Sequence, residues 1–167
     1  PGASPISFSK KAIKKLKNRK TKVPNWYLDL SMIINYWEGN ARVYHHTAPI
    51  NMMYALYQGL RNIINEGYDN VISRHKSAHD YLVSELTQLN IEFLVDKPYR
   101  IPSLNSVMIP DGINDVDVRI NLLNDFNIEI GGGLGPFAGK IWRIGLMGYA
   151  ANNNSIDRLC SALKKLV

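Results

Sequence analysis

At 167 residues, 46% hydrophobic and 20% charged, the chain has the composition of a globular protein, which excludes a disordered segment. No apolar run approaches the roughly 20 residues of a membrane-spanning helix, and the one cysteine, Cys160, excludes an internal disulfide and fits a reducing, cytoplasmic compartment. The net charge of +6 is uneven: Lys10, Lys11, Lys14, Lys15, Lys17, Arg19, Lys20 and Lys22 place eight cations and no acid in residues 10–22, so the rest sums to −2 and a chain-wide surface for nucleic acid is absent.

In chain order, Pro5-Ile6-Ser7-Phe8 reads as a short strand, and Ser9 caps a basic helix that runs to about Asn18. Ala12, Ile13 and Leu16 give that helix a narrow apolar stripe, so its cations read as a solvated face, with a polyanion patch as the rival. Residues 21–26 are irregular around Pro24. Leu28, Leu30, Met32, Ile33, Ile34 and Trp37 predict a buried helix over 28–37, stopped by Gly39. Met52, Met53, Leu56, Leu60, Ile63 and Ile64 recur at helical spacing over 49–65, before Gly67. A longer helix is expected over 68–88, with Arg74, His75, Lys76 and Glu85 on its outer face. His75 and His79 lie one turn apart, a spacing that suits a metal pair, but no third ligand stands near them in sequence and two surface histidines are the simpler reading.

Beyond Asn90 the pattern shortens. Strands are expected at 91–95, 107–109, 128–130 and 141–147, helices at 116–126 and 155–166 (the last capped by Ser155), and a glycine loop at 131–136. From residue 68 onward this is α-β-β-α-β-β-α, the sign of an α/β layer domain. Residues 1–65 lack the strands to close a domain of their own. The chain begins Pro1-Gly2 just before an apolar stretch, which suggests a fragment, a processed product or part of a longer protein. Cys160 lies on the apolar face of the last helix and reads as a packed thiol.

Three places can carry chemistry. Tyr44-His45-His46-Thr47 precedes Pro49 and the helix after it; with Thr47 as N-cap, the tetrad reads either as an anion cup at a helix N-terminus or as a capped turn with two surface histidines. Arg143, inside Ile141-Trp142-Arg143-Ile144, is either a fork for a carboxylate ligand, or else half of an internal salt bridge or a strand-end residue at the surface. The glycines at 131–135 lack the context of a dinucleotide or P-loop site and say only that backbone turns sharply or approaches something closely. No zinc-protease, CxxC or nucleophile-elbow motif is present. A phosphate cup together with a carboxylate fork suits pyridoxal phosphate and an amino acid.

The motifs have a family likeness. Pro1-Gly2-x-Ser4-x-Ile6-Ser7-Phe8-Ser9, Arg19-Lys20-Thr21-Lys22, Tyr27-Leu28-Asp29, Tyr44-His45-His46-Thr47, Gly132-Gly133-Leu134-Gly135-Pro136 and Gly139-Lys140-x-x-Arg143-Ile144-Gly145-Leu146-x-Gly148 follow one another over nearly the whole chain. In this order the chain resembles the C-terminal part of class V aminotransferases of pyridoxal-phosphate fold type I, and among them the alanine–glyoxylate and serine–pyruvate enzymes.

The resemblance implies an α/β fold with the end of the large domain at 1–66 and the small C-terminal domain at 67–167. It implies pyridoxal 5'-phosphate as cofactor, held by a Schiff-base lysine upstream of Pro1, so that no catalytic residue is expected within these 167. Tyr44 and Thr47 map onto residues that reach the cofactor phosphate of the neighbouring subunit, and Arg143 onto the residue that grips the substrate α-carboxylate. The implied reaction is a two-half transamination between alanine or serine and glyoxylate or pyruvate. The implied partners are a second copy in a homodimer with shared active sites, the upstream part of the same protein, and small amino and keto acids, with no metal, nucleic acid or membrane. The rivals are a non-catalytic fragment or binding module of the same scaffold, and a polyanion-binding α/β domain using residues 10–22.

Overall fold

A serine hydroxyl starts the first helix. In the computed structural model, which describes residues 3–38 and 43–167, Ser9 Oγ accepts the Ala12 amide at 3.2 Å and α1 spans Lys10–Lys17. The strand expected at 5–8 is irregular. Helix α2 is Leu30–Glu38. Its cap is Asp29, whose Oδ1 accepts the Ser31 amide at 3.0 Å and the Ser31 hydroxyl at 2.5 Å. That hydroxyl holds the Asp29 carboxyl below its ordinary value. The expected stop at Gly39 lies outside the described residues, as do Pro1 and Gly2.

Helix α3 is Ile50–Glu66. The chain divides into two compact units, Pro1–Asn62 and Ile63–Val167, and the division falls within this helix. The first unit is poor in buried apolar side chains. Only Ile34 of α2 is buried, against the expectation of a buried helix, while Leu28 and Trp37 are exposed. No residue of α3 is buried, although its apolar periodicity is strong. Periodicity reports that a face seeks a partner.

The second unit holds the core. Helix α4, Tyr68–Gln88, leads to strand β1, Leu104–Met108. Helix α5, Asp115–Phe126, starts at Asn114, whose Oδ1 accepts the amides of Val116 and Asp117 at 2.9 and 3.2 Å. It ends at Asn127 in the left-handed conformation. Strands β2, Gly131–Gly132, and β3, Ile141–Gly145, precede the closing helix α6, Asn153–Leu166. Asn152, not Ser155, caps α6: its Oδ1 accepts the Ser155 amide at 2.9 Å. No helix is long and apolar enough to cross a membrane among the described residues.

Fewer strands form than the alternation predicts. The sheet has the order β1-β3-β2, antiparallel throughout. Residues 91–95 contribute one bridge, Phe93 to Val107, with Leu94 N–H donating to Ser106 and Met108 N–H to Glu92. The segment then leaves the sheet into a short 3-10 turn over Lys97–Tyr99, which carries Pro98. Residues 128–130 do not pair either; the ladder forms on the glycines after them, Gly131 opposite Arg143 and Gly132 opposite Trp142. Their alternation reported burial, since Ile130 belongs to the core, and not hydrogen bonding.

One face of the sheet is covered. Val107, Trp142 and Ile144 pack with Ala78, Leu82 and Leu86 of α4, Val118 and Leu122 of α5, and Ile156, Leu159 and Leu163 of α6. Trp142 is fully enclosed, and each such large apolar side chain contributes about 1.5–3 kcal/mol. Cys160 is packed in this layer as expected, and burial pushes its thiol up to about 11. Because side chains alternate along a strand, Ser106 and Arg143 face the opposite side.

Candidate functional site

Arg143 sits in the middle of the central strand with its neighbours Trp142 and Ile144 locked into the core. Its own side chain is half-buried on the sheet face away from the helices. Its Nε–H donates to the Gly132 carbonyl at 2.7 Å. A Cβ on Gly131 would lie 3.3 Å from Nη2 and 3.5 Å from Cζ, so the guanidinium rests against bare backbone. The internal salt bridge is not found among the described residues, where the ion pairs are Arg74 with Glu66 and Arg119 with Asp115, and the half-buried mid-strand place of Arg143 is not a strand end at the surface. Both Nη groups of Arg143 are thus without a protein acceptor among the described residues.

The glycine run is shaped by close approaches. A Cβ on Gly133 would fall 1.9 Å from the Phe137 carbonyl oxygen, and Gly135 and Gly139 have positive φ of 55° and 70°. Gly132 lies under a second arginine, Arg119 of α5: a Cβ there would be 3.3 Å from Arg119 Nε. Arg119 donates to Asp115 from Nε at 2.8 Å and from Nη2 at 3.1 Å, and the Trp142 indole N–H also donates to Asp115, at 3.0 Å. The Arg119 guanidinium holds the Asp115 carboxyl below its ordinary 3.8. Sequence reasoning singled out neither residue. The i, i+4 spacing of Asp115 and Arg119 is the signal that was available, but such pairs are common on helix surfaces.

The 44–47 turn lies in the first unit. Thr47 does not cap α3, because Ala48 precedes a proline and is kept out of the helical region. The helix opens instead with the Met53 amide bonded to the Pro49 carbonyl at 3.0 Å. The Thr47 hydroxyl pairs with that of Tyr44, and both residues are exposed. The two histidines are not on the surface: His45 is 4% exposed and His46 half-buried. Their rings lie 4.2 and 5.1 Å from that of Trp26, their Nδ1 atoms pair with each other, and Tyr27 meets His46 edge-on. Both Nε2 atoms are buried with no hydrogen-bond partner among the described residues. An aromatic clamp thus holds the middle of the turn and presents its two hydroxyls outward.

Two residues expected to face solvent from α4 instead grip the chain beyond Arg143. Arg74 makes a two-pronged pair with Glu66 at 2.6 and 2.9 Å and donates from Nη1 to the carbonyls of Gly148 and Ala151. His75 Nε2 accepts the Gly148 amide at 3.1 Å while its Nδ1 meets the Val71 carbonyl at 2.7 Å, which requires the Nδ1–H tautomer. His79 is buried against Asn105 Oδ1 at 2.7 Å. The histidine pair is therefore split between two structural bonds. The cations of 10–22 are all exposed, which both a solvated helix face and a polyanion patch require.

No family model matches the chain. Curated relatives do. Over 99% of its length it is 39% identical to alanine–glyoxylate aminotransferase of Mus musculus and 41% identical to that of Rattus norvegicus, covering 41% of each. The fold agrees. A crystal structure of alanine–glyoxylate aminotransferase from Nostoc sp. superposes with a TM-score of 0.85 at 49% identity, over 96% of this chain and 42% of that one. Ureidoglycine–glyoxylate aminotransferase of Bacillus subtilis gives 0.86 at 32%, over 96% and 41%. The chain spans about two-fifths of the length of the relatives it matches. By sequence and by fold, this chain is similar to the C-terminal part of alanine–glyoxylate aminotransferases, and its structural neighbours are class V aminotransferases.

Proposed function

We propose that the protein to which this chain belongs is a pyridoxal-phosphate-dependent aminotransferase that moves an amino group between alanine or serine and glyoxylate or pyruvate. The observation that carries the proposal is the Arg143 fork, anchored through Nε with both Nη groups unpaired by protein among the described residues. Two parallel N–H donors fit the two oxygens of an α-carboxylate, which every one of these amino and keto acids carries.

The donor chemistry at 44–47 fits the cofactor's phosphate. Tyr44 and Thr47 offer two exposed hydroxyls, already close enough to bond each other. Each can donate to a phosphate oxygen without adding charge. Pyridoxal phosphate, once bound, supplies the electron sink that makes removal of a proton next to the amino group accessible. This chain's part is to bind and orient: Arg143 holds the carboxylate and so fixes which bond of the substrate faces the ring. The lysines of 10–22 lie exposed on and beside α1 and serve no Schiff base in this reading. The lysine that holds the cofactor belongs to sequence before residue 1, where the relatives have the rest of their length. Residues 1–66 are then the end of the large domain and 67–167 the small one. The apolar residues of α3, none of them buried, support a partner surface, either the upstream part of the protein or the second subunit of a homodimer whose active sites are shared.

Steady-state assays of the full-length protein with each donor and acceptor test this. Turnover of at least one pair with a pyridoxal-phosphate absorbance band is expected. A full-length protein that binds the cofactor and turns over none of them contradicts the proposal.

A further inference from the structure

The Gly131–Gly132 strand is two residues long and carries no side chain, so it cannot fix its own position by packing. It is nevertheless the acceptor that orients Arg143. Its ladder to β3 sets its register, and side chains flank it on both faces. Arg143 lies over Gly131, and Arg119 lies over Gly132 on the opposite face, as the alternation of a strand demands. Arg119 is itself fixed by a two-pronged bond to Asp115, and Asp115 by the indole N–H of Trp142, which is fully buried and adjacent to Arg143 in the strand. The path is closed: Arg143 to Gly132, Gly132 to Arg119, Arg119 to Asp115, Asp115 to Trp142, and back along the chain to Arg143.

From this geometry we infer that Asp115 and Arg119 are positioning residues for the Arg143 fork and thereby set the affinity for the substrate carboxylate. The inference rests on the carboxylate reading of Arg143. Neither residue touches the substrate. Asp115 lies on the helix side of the sheet, where it neutralises Arg119 without offering Arg143 a competing carboxylate. Arg119, charge-paired in this way, lies beside Gly132 and limits how far that peptide can move from Arg143, which keeps the 2.7 Å bond at Nε. With either residue lost, only the ladder to β3 restrains β2, which allows shifts of about tenths of an ångström, and a two-pronged bond is sensitive to displacements of that size.

The test is a coupling experiment in the full-length holoenzyme. Arg119→Met, Asp115→Asn and Arg143→Lys are made singly, and each of the first two is combined with Arg143→Lys. Arg119→Met is expected to raise KM for both amino and keto acid about tenfold, with kcat within about twofold of wild type. Cofactor absorbance and thermal midpoint of the folded holoenzyme are read alongside. In the Arg143→Lys background the same substitution is expected to add nothing to KM, because the group it positions has gone. A purely structural role predicts the same factor in both backgrounds, and that result, or an unchanged KM in Arg119→Met, overturns the inference. Should Arg119→Met fail to fold, Asp115→Asn carries the same comparison, since it keeps side-chain volume. If Arg143→Lys alone leaves KM unchanged, it is the carboxylate reading that fails.

Discussion

Arg119 and Arg143 lie against opposite faces of one two-residue strand, the first over Gly132 and the second over Gly131. The first is paired with an acid and the second is not, among the described residues. That asymmetry gives the sheet one charge-paired, structural guanidinium on its helix side and one guanidinium with donors to spare on its other side. A cation so placed is costly unless something binds it, and a planar, two-pronged anion is the ligand its shape favours.

The glycine run should be intolerant where backbone meets backbone. A Cβ on Gly133 would overlap the Phe137 carbonyl. Gly133→Ala is expected to destabilise the protein by about 2 kcal/mol or more, read as a lower urea midpoint with an unchanged slope. A midpoint equal to that of wild type would show that the turn relaxes without cost.

Asp115 links stability to acid. Its carboxyl is held below its ordinary 3.8 by Arg119, with a further hydrogen bond from Trp142. A carboxylate with a depressed folded-state value contributes stability that is fully present above its unfolded value of about 3.9 and lost as pH falls through the folded value. Asp115→Asn should therefore lower unfolding free energy at pH 7, by about 1–3 kcal/mol. The gap to wild type should close below about pH 4. A gap that persists unchanged at pH 3 would mean that the pair is not the source of the difference.

How much of this was legible in the sequence follows from what each signal measures. Helix positions were readable because periodicity, Ser9 and Gly67 act locally. Strands were not: 91–95 and 128–130 alternate like strands, yet hydrogen-bond partners are decided by distant chain, and the glycines that pair have no side-chain pattern at all. Arg143 stood out as a charge inside an apolar run. Asp115 and Arg119 did not, because their link to Gly132 and Trp142 exists only after the sheet forms. The histidines of 44–47 looked like surface residues because nothing near them in sequence announces the Trp26 ring.

The hydroxyls of that turn make a separate prediction. Tyr44→Phe with Thr47→Ala removes both exposed hydroxyls and leaves the buried His45 in place. In the full-length protein the double variant should lose cofactor about tenfold more readily on dialysis, with the midpoint of the cofactor-free protein unchanged. Equal retention would remove the phosphate role from these residues.

The most direct measurement is the kinetics of Arg143→Lys in the full-length holoenzyme. Lysine keeps the charge and loses the planar fork, so it separates geometry from electrostatics. The account predicts that KM for the amino acid rises about 10–100-fold while the cofactor absorbance spectrum stays as in wild type. A KM equal to that of wild type would contradict it.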